Sequence, residues 1–298
     1  MSGEKRAKRD ISGWLILDKP YGMTSTQAVG KVRWLFTAKK AGHAGTLDPL
    51  ATGILPIALG EATKTVPVMQ DGEKTYAFTI AWGAATSTDD LEGAIVATSD
   101  HRPTEADVVG LLPQFTGTIL QRPPDFSAIK IDGERAYDLA RAGESVALAP
   151  RPVTISGLQL RRHSSESSDF SMTCEKGTYV RSLARDLAEA LGTRGHVTAL
   201  RRTAVGPFTE ARSVALDTLE ASDSIDSFLL GLDIGLAHLP EIRLTPDQAA
   251  PLRHGNPVLL TGAAAPIALE TAWASCRGEA IAIGAVVAGR FIPRRVLN

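Results

Sequence analysis

Asp48 is the one carboxylate between Asp18 and Glu61. It lies in Ala41–Lys64, AGHAGTLDPLATGILPIALGEATK, a run crowded with small residues, with Gly45 before the acid and Gly53 after it. Glycine allows close approach of a ligand to the backbone and turns that other residues avoid. Pro49 locks its own φ and drives Asp48 towards extended geometry. A lone acid on a stiff, small-residue loop suits a nucleophile or base that meets a bulky substrate. Asp before Pro also caps turns and helix starts. The residues by themselves leave both roles open.

Other chemistry is sparse. No GxxxxGK[ST] and no strand–GxGxxG–helix is present, so no nucleotide or redox cofactor is expected. Cys174 and Cys276 are too few for a disulfide framework, and no His/Cys spacing fits zinc. The expectation is no metal and a reducing cytoplasm. MSGEKRAKRD is followed by a brief apolar run, Trp14–Leu17, which does not read as a signal peptide, and no run reaches membrane-spanning length.

The formal net charge is −1, which argues mildly against a nucleic-acid binder. Distribution matters more. Up to Lys64, ten cations stand against five acids. Acids gather later, in Asp89, Asp90 and Glu92 and again from Asp217 to Asp233. A basic face with an acidic back suits an RNA partner, although each run taken singly reads as a solvated face.

At 298 residues, 44% hydrophobic and 22% charged, the chain fits one large globular domain or a large one plus a small one. Trp14–Leu17 predicts a strand, and Ser25 is the expected N-cap of a helix over Gln27–Phe36. Strands are expected at Thr75–Trp82, Pro152–Arg161 and Phe170–Cys174, with helices beginning at Thr104 and Val180. Arg122-Pro123-Pro124 breaks regular structure. The following Phe126–Arg141 sets Lys130, Arg135 and Arg141 beside Phe126 and Tyr137, a pattern that suits RNA but equally fits a surface helix. The acidic stretch Ser213–Ala237 is expected to lead out of the first domain. After Leu239 a short helix at Thr245-Pro246 precedes four short strands, at Val258–Leu260, Ile267–Trp273, Ala280–Val287 and Phe291–Val296.

GHAGTLDPLATGILPIALGEATK resembles the signature of the TruB type of bacterial tRNA pseudouridine synthases, the pseudouridine-55 enzymes. DKPYGMTS (Asp18–Ser25), KTYAFTIAWGAATSTDDLEG (Lys74–Gly93), KGTYVRSLARDLAEALG (Lys176–Gly192) and GHVTALRRTAVGPF (Gly195–Phe208) extend the resemblance in order over roughly the first 210 residues. The last third is similar only loosely.

The resemblance implies an α+β pseudouridine synthase fold, a central mixed, mostly antiparallel sheet flanked by helices and loops. It implies a catalytic domain over 1–238 with a thumb-like RNA-binding insertion at about 121–150, and a small degenerate PUA-like β-rich domain over 239–298. The implied substrate is the T-arm stem-loop of tRNA, isomerised without a cofactor by a cytoplasmic monomer that needs no protein partner and no membrane. Asp48 is then the essential carboxylate, paired with Arg181, and Tyr76 stacks on the uracil. Tyr179 and Leu200 line the base pocket, and His43 fills the space left by the flipped nucleotide. Lys19, Lys64 and Lys130 lie in motifs that face RNA. On their residues alone these positions also read as helix-surface arginine, core aromatic and aliphatic, structural histidine and surface lysine. Two other functions share the catalytic segments: a guide-RNA-dependent synthase, and an RNA-folding chaperone with secondary catalysis.

Overall fold

The computed structural model describes residues 7–126, 130, 131, 134, 135, 148–262 and 264–297. They form two compact units. The first comprises Met1–Asp48, Ile54–Asp71 and Val205–Asn298, and the second Pro49–Gly53 and Gly72–Ala204. Much of the insertion expected at 121–150, with Tyr137–Arg141 and the side chain of Lys130, lies outside the described residues.

In the first unit, strand β1 (Gly13–Lys19) is buried almost throughout, as an apolar WLIL run covered on both faces should be. Trp14 and Ile16 join Ala44, Ile54, Ala58, Met69, Val205 and Phe208 in one core cluster. The Trp14 and Phe208 rings lie 5.6 Å apart at 50°. Helix α1 (Ser25–Leu35) is capped by Thr24, not Ser25. Thr24 and Gln27 form a reciprocal capping box, which fixes the helix start one residue earlier than expected.

Strands β2 (Ala41–His43) and β3 (Thr52–Leu59) pair antiparallel, His43 opposite Ile57. This corrects the reading of Ala41–Lys64 as a loop: the loop proper is residues 44–51. TGILPIAL hides its strand character because it contains Gly and Pro and lacks alternation; it is buried on both faces. Pro56 needs no donor here, and its carbonyl accepts the Ala44 N–H at 3.0 Å.

The second unit is built on an antiparallel ladder. Strands β4 (Lys74–Trp82), β5 (Gly117–Gln121), β6 (Arg151–His163) and β7 (Ser167–Cys174) run in the order β4–β7–β6–β5. Phe170, Met172 and Cys174 are buried at alternate positions, as their spacing predicts. Phe78 stacks on Phe170 with centroids 5.3 Å apart. Helix α2 (Val180–Ala190) buries Val180, Leu183, Ala184 and Leu187. Strand β8 (Gly195–Val205) lies beside β4. Thr52 and Gly53 pair in parallel with Arg201 and Arg202, which makes the sheet mixed. Gly53 has φ +95°, and a Cβ there would sit 2.2 Å from the Arg202 carbonyl oxygen, so no other residue fits.

The chain then returns to the first unit. Val214 and Ala215 pair in parallel with Leu17 and Asp18 of β1, so the stretch from Ser213 adds to the sheet instead of leading away from it. Strand β9 (Glu241–Arg243), helix α3 (Pro246–Arg253) and strands β10 (Val258–Leu259), β11 (Leu269–Cys276), β12 (Glu279–Val287) and β13 (Arg290–Val296) follow. The strands form one sheet in the order β9–β11–β12–β13–β10. The β-rich C-terminal part expected from sequence is thus present. Ile242, Leu252, Val258, Ile281 and Phe291 fill its core. Among the described residues no helix is long and apolar enough to cross a membrane.

Candidate active site

The first unit carries Asp48, His43, Lys19 and Lys64. Asp48 is half-buried on the β2–β3 connection, with buried Leu47 before it and buried Leu50 and Ala51 beyond Pro49. Leu47 is tied to the start of α1. The Ser25 hydroxyl accepts the Leu47 N–H at 2.8 Å and donates to the Leu47 carbonyl at 3.0 Å. His43, half-buried, ends β2 immediately before the loop.

Two lysines differ from the surface residues their sequence suggests. Lys19 has no exposed surface, and its ammonium donates to the carbonyls of Pro20 at 2.9 Å and Met23 at 2.6 Å. It therefore holds the turn between β1 and α1 together, which leaves its charge facing main chain and not solvent. Lys64, half-buried in the Gly60–Thr65 turn of 3₁₀ helix, donates to Glu61 at 2.6 Å and to the Val296 carbonyl at 2.8 Å. The backbone of Lys130 lies in a two-residue strand paired with Glu134–Arg135.

The second unit carries Tyr76, Tyr179, Arg181 and Leu200. Tyr76 sits on β4 opposite Met172 and shares a face with buried Phe78, Ile80 and Trp82. Tyr179 is the residue from which α2 starts. Gln121, at the end of β5, accepts its N–H at 2.8 Å and donates to its carbonyl at 3.1 Å. The Arg151 guanidinium lies 5.5 Å from the Tyr179 ring centre and donates to the Gly177 carbonyl at 3.0 Å. Leu200 is buried on β8.

Arg181, on the first turn of α2, is 4% exposed. Its guanidinium donates to the carbonyls of Thr88 at 3.1 Å and Phe126 at 3.0 Å and lies 3.5 Å from the Asp90 carboxylate. Asp90 is itself 1% exposed and accepts from the Thr88 hydroxyl and from the Glu92 N–H at 2.9 Å. One turn on, Arg185 pairs with Asp89 at 3.0 Å. Burial raises the Asp89 carboxyl above its ordinary range, opposed by Arg185, Arg181 and Arg122.

Asp89 and Asp90 are therefore paired anchors, not a solvated acidic back. Sequence reasoning passed over Asp90, Arg185 and Gln121. Their partners lie about 60 to 95 positions away, and no local pattern marks such a pairing. Among the described residues no group of three His, Cys, Asp or Glu side chains is arranged to hold a metal ion.

Two family models match the chain. Residues 33–180 match the TruB family pseudouridylate synthase (N terminal domain), and residues 181–237 match the tRNA pseudouridylate synthase B C-terminal domain. The tRNA pseudouridine synthase B of Chelativorans sp. (strain BNC1) is 54% identical over 306 residues, covering 99% of this chain and 98% of that protein. Its namesake in Ruegeria sp. (strain TM1040) is 54% identical over 300 residues, with 99% of each chain covered. The Mesorhizobium japonicum protein of the same name is 50% identical over 317 residues, with 98% of each covered.

Among solved structures, a chain of a Cbf5-Nop10-Gar1 complex superposes with a TM-score of 0.75 at 25% identity, covering 96% of this chain and 84% of that one. One from an archaeal box H/ACA sRNP Nop10-Cbf5 complex gives 0.73 at 23%, covering 95% and 84%.

Proposed function

Because this chain belongs to the TruB family of pseudouridylate synthases, we propose that it converts the uridine at position 55 in the tRNA T-arm loop to pseudouridine, with Asp48 as its essential carboxylate. At the coarser level it is a tRNA pseudouridine synthase, like the relatives 50–54% identical to it. The reaction is an isomerisation. The C1′–N1 bond breaks, the uracil turns, C5 bonds to C1′, C5 loses its proton and N1 gains one.

A stacked loop base must leave its stack to be processed. Asp48 then either attacks C1′ or takes the proton from C2′, and both routes need the ionised carboxylate. Tyr76 stacks on the displaced uracil, Tyr179 and Leu200 bound it, and His43 occupies the gap left in the loop. Arg181 orients Asp48. Lys64 and Lys130 approach phosphates, whereas the buried setting of Lys19 supports a turn-holding part for it.

We place the domain boundary after residue 238 and assign the five-stranded sheet to RNA binding as a degenerate PUA-like domain. The enzyme acts as a cytoplasmic monomer without an obligatory protein partner. Identity of 50–54% to stand-alone synthase relatives, against 23–25% to chains from Cbf5 complexes, supports that form over a guide-RNA-dependent one.

The observation that carries the reading is Asp48 itself: the sole carboxylate of residues 19–60, half-buried on a short connection with both flanks anchored. The test is tritium release from a T-arm stem-loop labelled at uridine C5, run for the wild-type protein and for Asp48→Asn. The variant should release nothing above background while binding the stem-loop within about tenfold of wild type, because phosphate contacts and base stacking supply most of the affinity. Turnover by the variant would end the assignment.

A further inference from the structure

We infer that Ser25 is a positioning residue for the Asp48 carboxylate, an inference that rests on the reading of Asp48 as the catalytic acid. Ser25 opens α1, yet it does no capping, since Thr24 already receives the Gln27 N–H at 3.1 Å. Its hydroxyl, in a residue 3% exposed, is spent on one residue 22 positions away, the residue that precedes Asp48. Oγ accepts from the Leu47 N–H and donates to the Leu47 carbonyl, so both main-chain polar groups of Leu47 are held by a single atom.

Peptide planarity turns this into control of Asp48. The Leu47 carbonyl belongs to the same rigid plane as the nitrogen and Cα of Asp48. Fixing where that carbonyl points fixes where the Asp48 Cα lies. On the far side, Pro49 narrows the backbone freedom of Asp48 towards extended geometry. The carboxylate thus hangs from a backbone restrained on both flanks, and the rigid body that sets the near flank is the first turn of α1. Buried Leu47 seats the same peptide from the side-chain direction. The DKPYGMTS segment, distant in sequence from Asp48, acquires a defined purpose: Lys19 ties the turn that delivers the helix start, and Ser25 transmits that position to the loop.

The test compares Ser25→Ala, Ser25→Thr and Asp48→Asn by steady-state tritium release, together with hydrogen exchange at the Leu47 amide. Displacement of a reacting group by about 1 Å can cost on the order of a hundredfold, so Ser25→Ala should lower kcat by roughly ten- to a hundredfold. KM for the stem-loop should stay within about twofold, because the lost interaction is with the protein's own loop. Ser25→Thr retains the hydroxyl and should recover most of kcat. The Leu47 amide should lose its protection in Ser25→Ala while the α1 amides keep theirs. If Ser25→Ala does not fold, Ser25→Cys, of similar size and a weak donor, is read by the same two measurements.

A kcat for Ser25→Ala within about twofold of wild type, or equal losses in the Ala and Thr variants, would overturn the inference. The underlying reading fails separately. An active Asp48→Asn enzyme removes Asp48 from catalysis whatever Ser25 does, whereas an inactive one beside a fully active Ser25→Ala removes only the part given to Ser25.

Discussion

The carboxamide of Gln121 grips Tyr179 through both of its main-chain polar groups, taking the N–H at 2.8 Å and donating to the carbonyl at 3.1 Å. The exchange reproduces what a neighbouring strand residue does in an antiparallel ladder. It fixes the residue from which α2 departs, and hence the base of the helix that carries Arg181.

Gln121→Glu keeps the acceptor and removes the donor, setting a carboxylate oxygen against the Tyr179 carbonyl in a site 1% exposed. The cost of an unpaired buried polar group is about 1–3 kcal/mol, to be read by chemical denaturation at neutral pH. Protonation restores the donor. Stability and turnover of the variant, relative to wild type, should therefore recover as the pH falls through the titration of the new acid. A loss independent of pH would mean that the donated bond is not what matters.

Arg181→Lys should be severe. Lysine keeps the charge but has no planar fork with which to serve the Thr88 and Phe126 carbonyls and the Asp90 carboxylate together. Turnover should fall by more than about tenfold, with stem-loop affinity little changed, since removing a bond made in the transition state acts on kcat. Filter binding and tritium release on one preparation separate the two. Near-normal turnover would exclude Arg181 from the catalytic group.

Cys174 gives a pH-dependent signature. Burial pushes its thiol up from the ordinary 9.0 to about 11. The folded state thus favours the neutral thiol. Any stability linked to it is intact below the unfolded-state value and is lost as pH rises from about 9 towards about 11. Over that window the wild type should lose on the order of 2 kcal/mol more than Cys174→Ala, since a tenfold change in proton affinity is worth about 1.4 kcal/mol. Parallel alkaline denaturation curves for the two proteins would refute it.

Removal of residues from Leu239 onward should do more than weaken RNA binding. Trp273, Ile283 and Leu297 pack with Leu236, and Val68 and Leu232 lie against the same cluster. Truncation strips those partners and also the Val296 carbonyl that receives the Lys64 ammonium. The truncated protein should melt several degrees lower, as expected when a few kcal/mol of packing is lost from a chain this size. An unchanged melting temperature would show that the packing contributes nothing to stability.

What the sequence made legible follows from periodicity. Phe170, Met172 and Cys174 alternate, and the strand is there. Leu183, Ala184 and Leu187 recur at helical spacing, and α2 buries them. Thr245-Pro246 announces a helix start and supplies a capping box. Strand β3 escaped because a strand covered on both faces does not alternate, and its Gly and Pro argue for a loop. Ser25 was read as a cap because Ser is a good one; the adjacent Thr24 won through its match with Gln27, which freed the Ser25 hydroxyl for Leu47. The signature around Asp48 marked the acid itself, but Asp90 looked like part of a charged surface. Its pairing with Arg181 exists only after β4, α2 and the connection at residues 83–93 have come together.

The bond from Lys64 to the Val296 carbonyl joins positions 232 residues apart, and this sets a schedule for synthesis. Every residue of the second unit has been made once the ribosome passes Ala204. The first unit still lacks Val205 and Phe208 for the core around Trp14, and Val296 is almost the last residue translated. At about 5–20 residues per second, the final stretch takes roughly 5 to 20 seconds. During that time the Asp48 loop belongs to an unfinished body, so a nascent chain cannot act on tRNA before it is released. Limited proteolysis of ribosome-bound chains halted near residue 230 should find 72–204 protected and 13–71 cut; protection of both would refute this order.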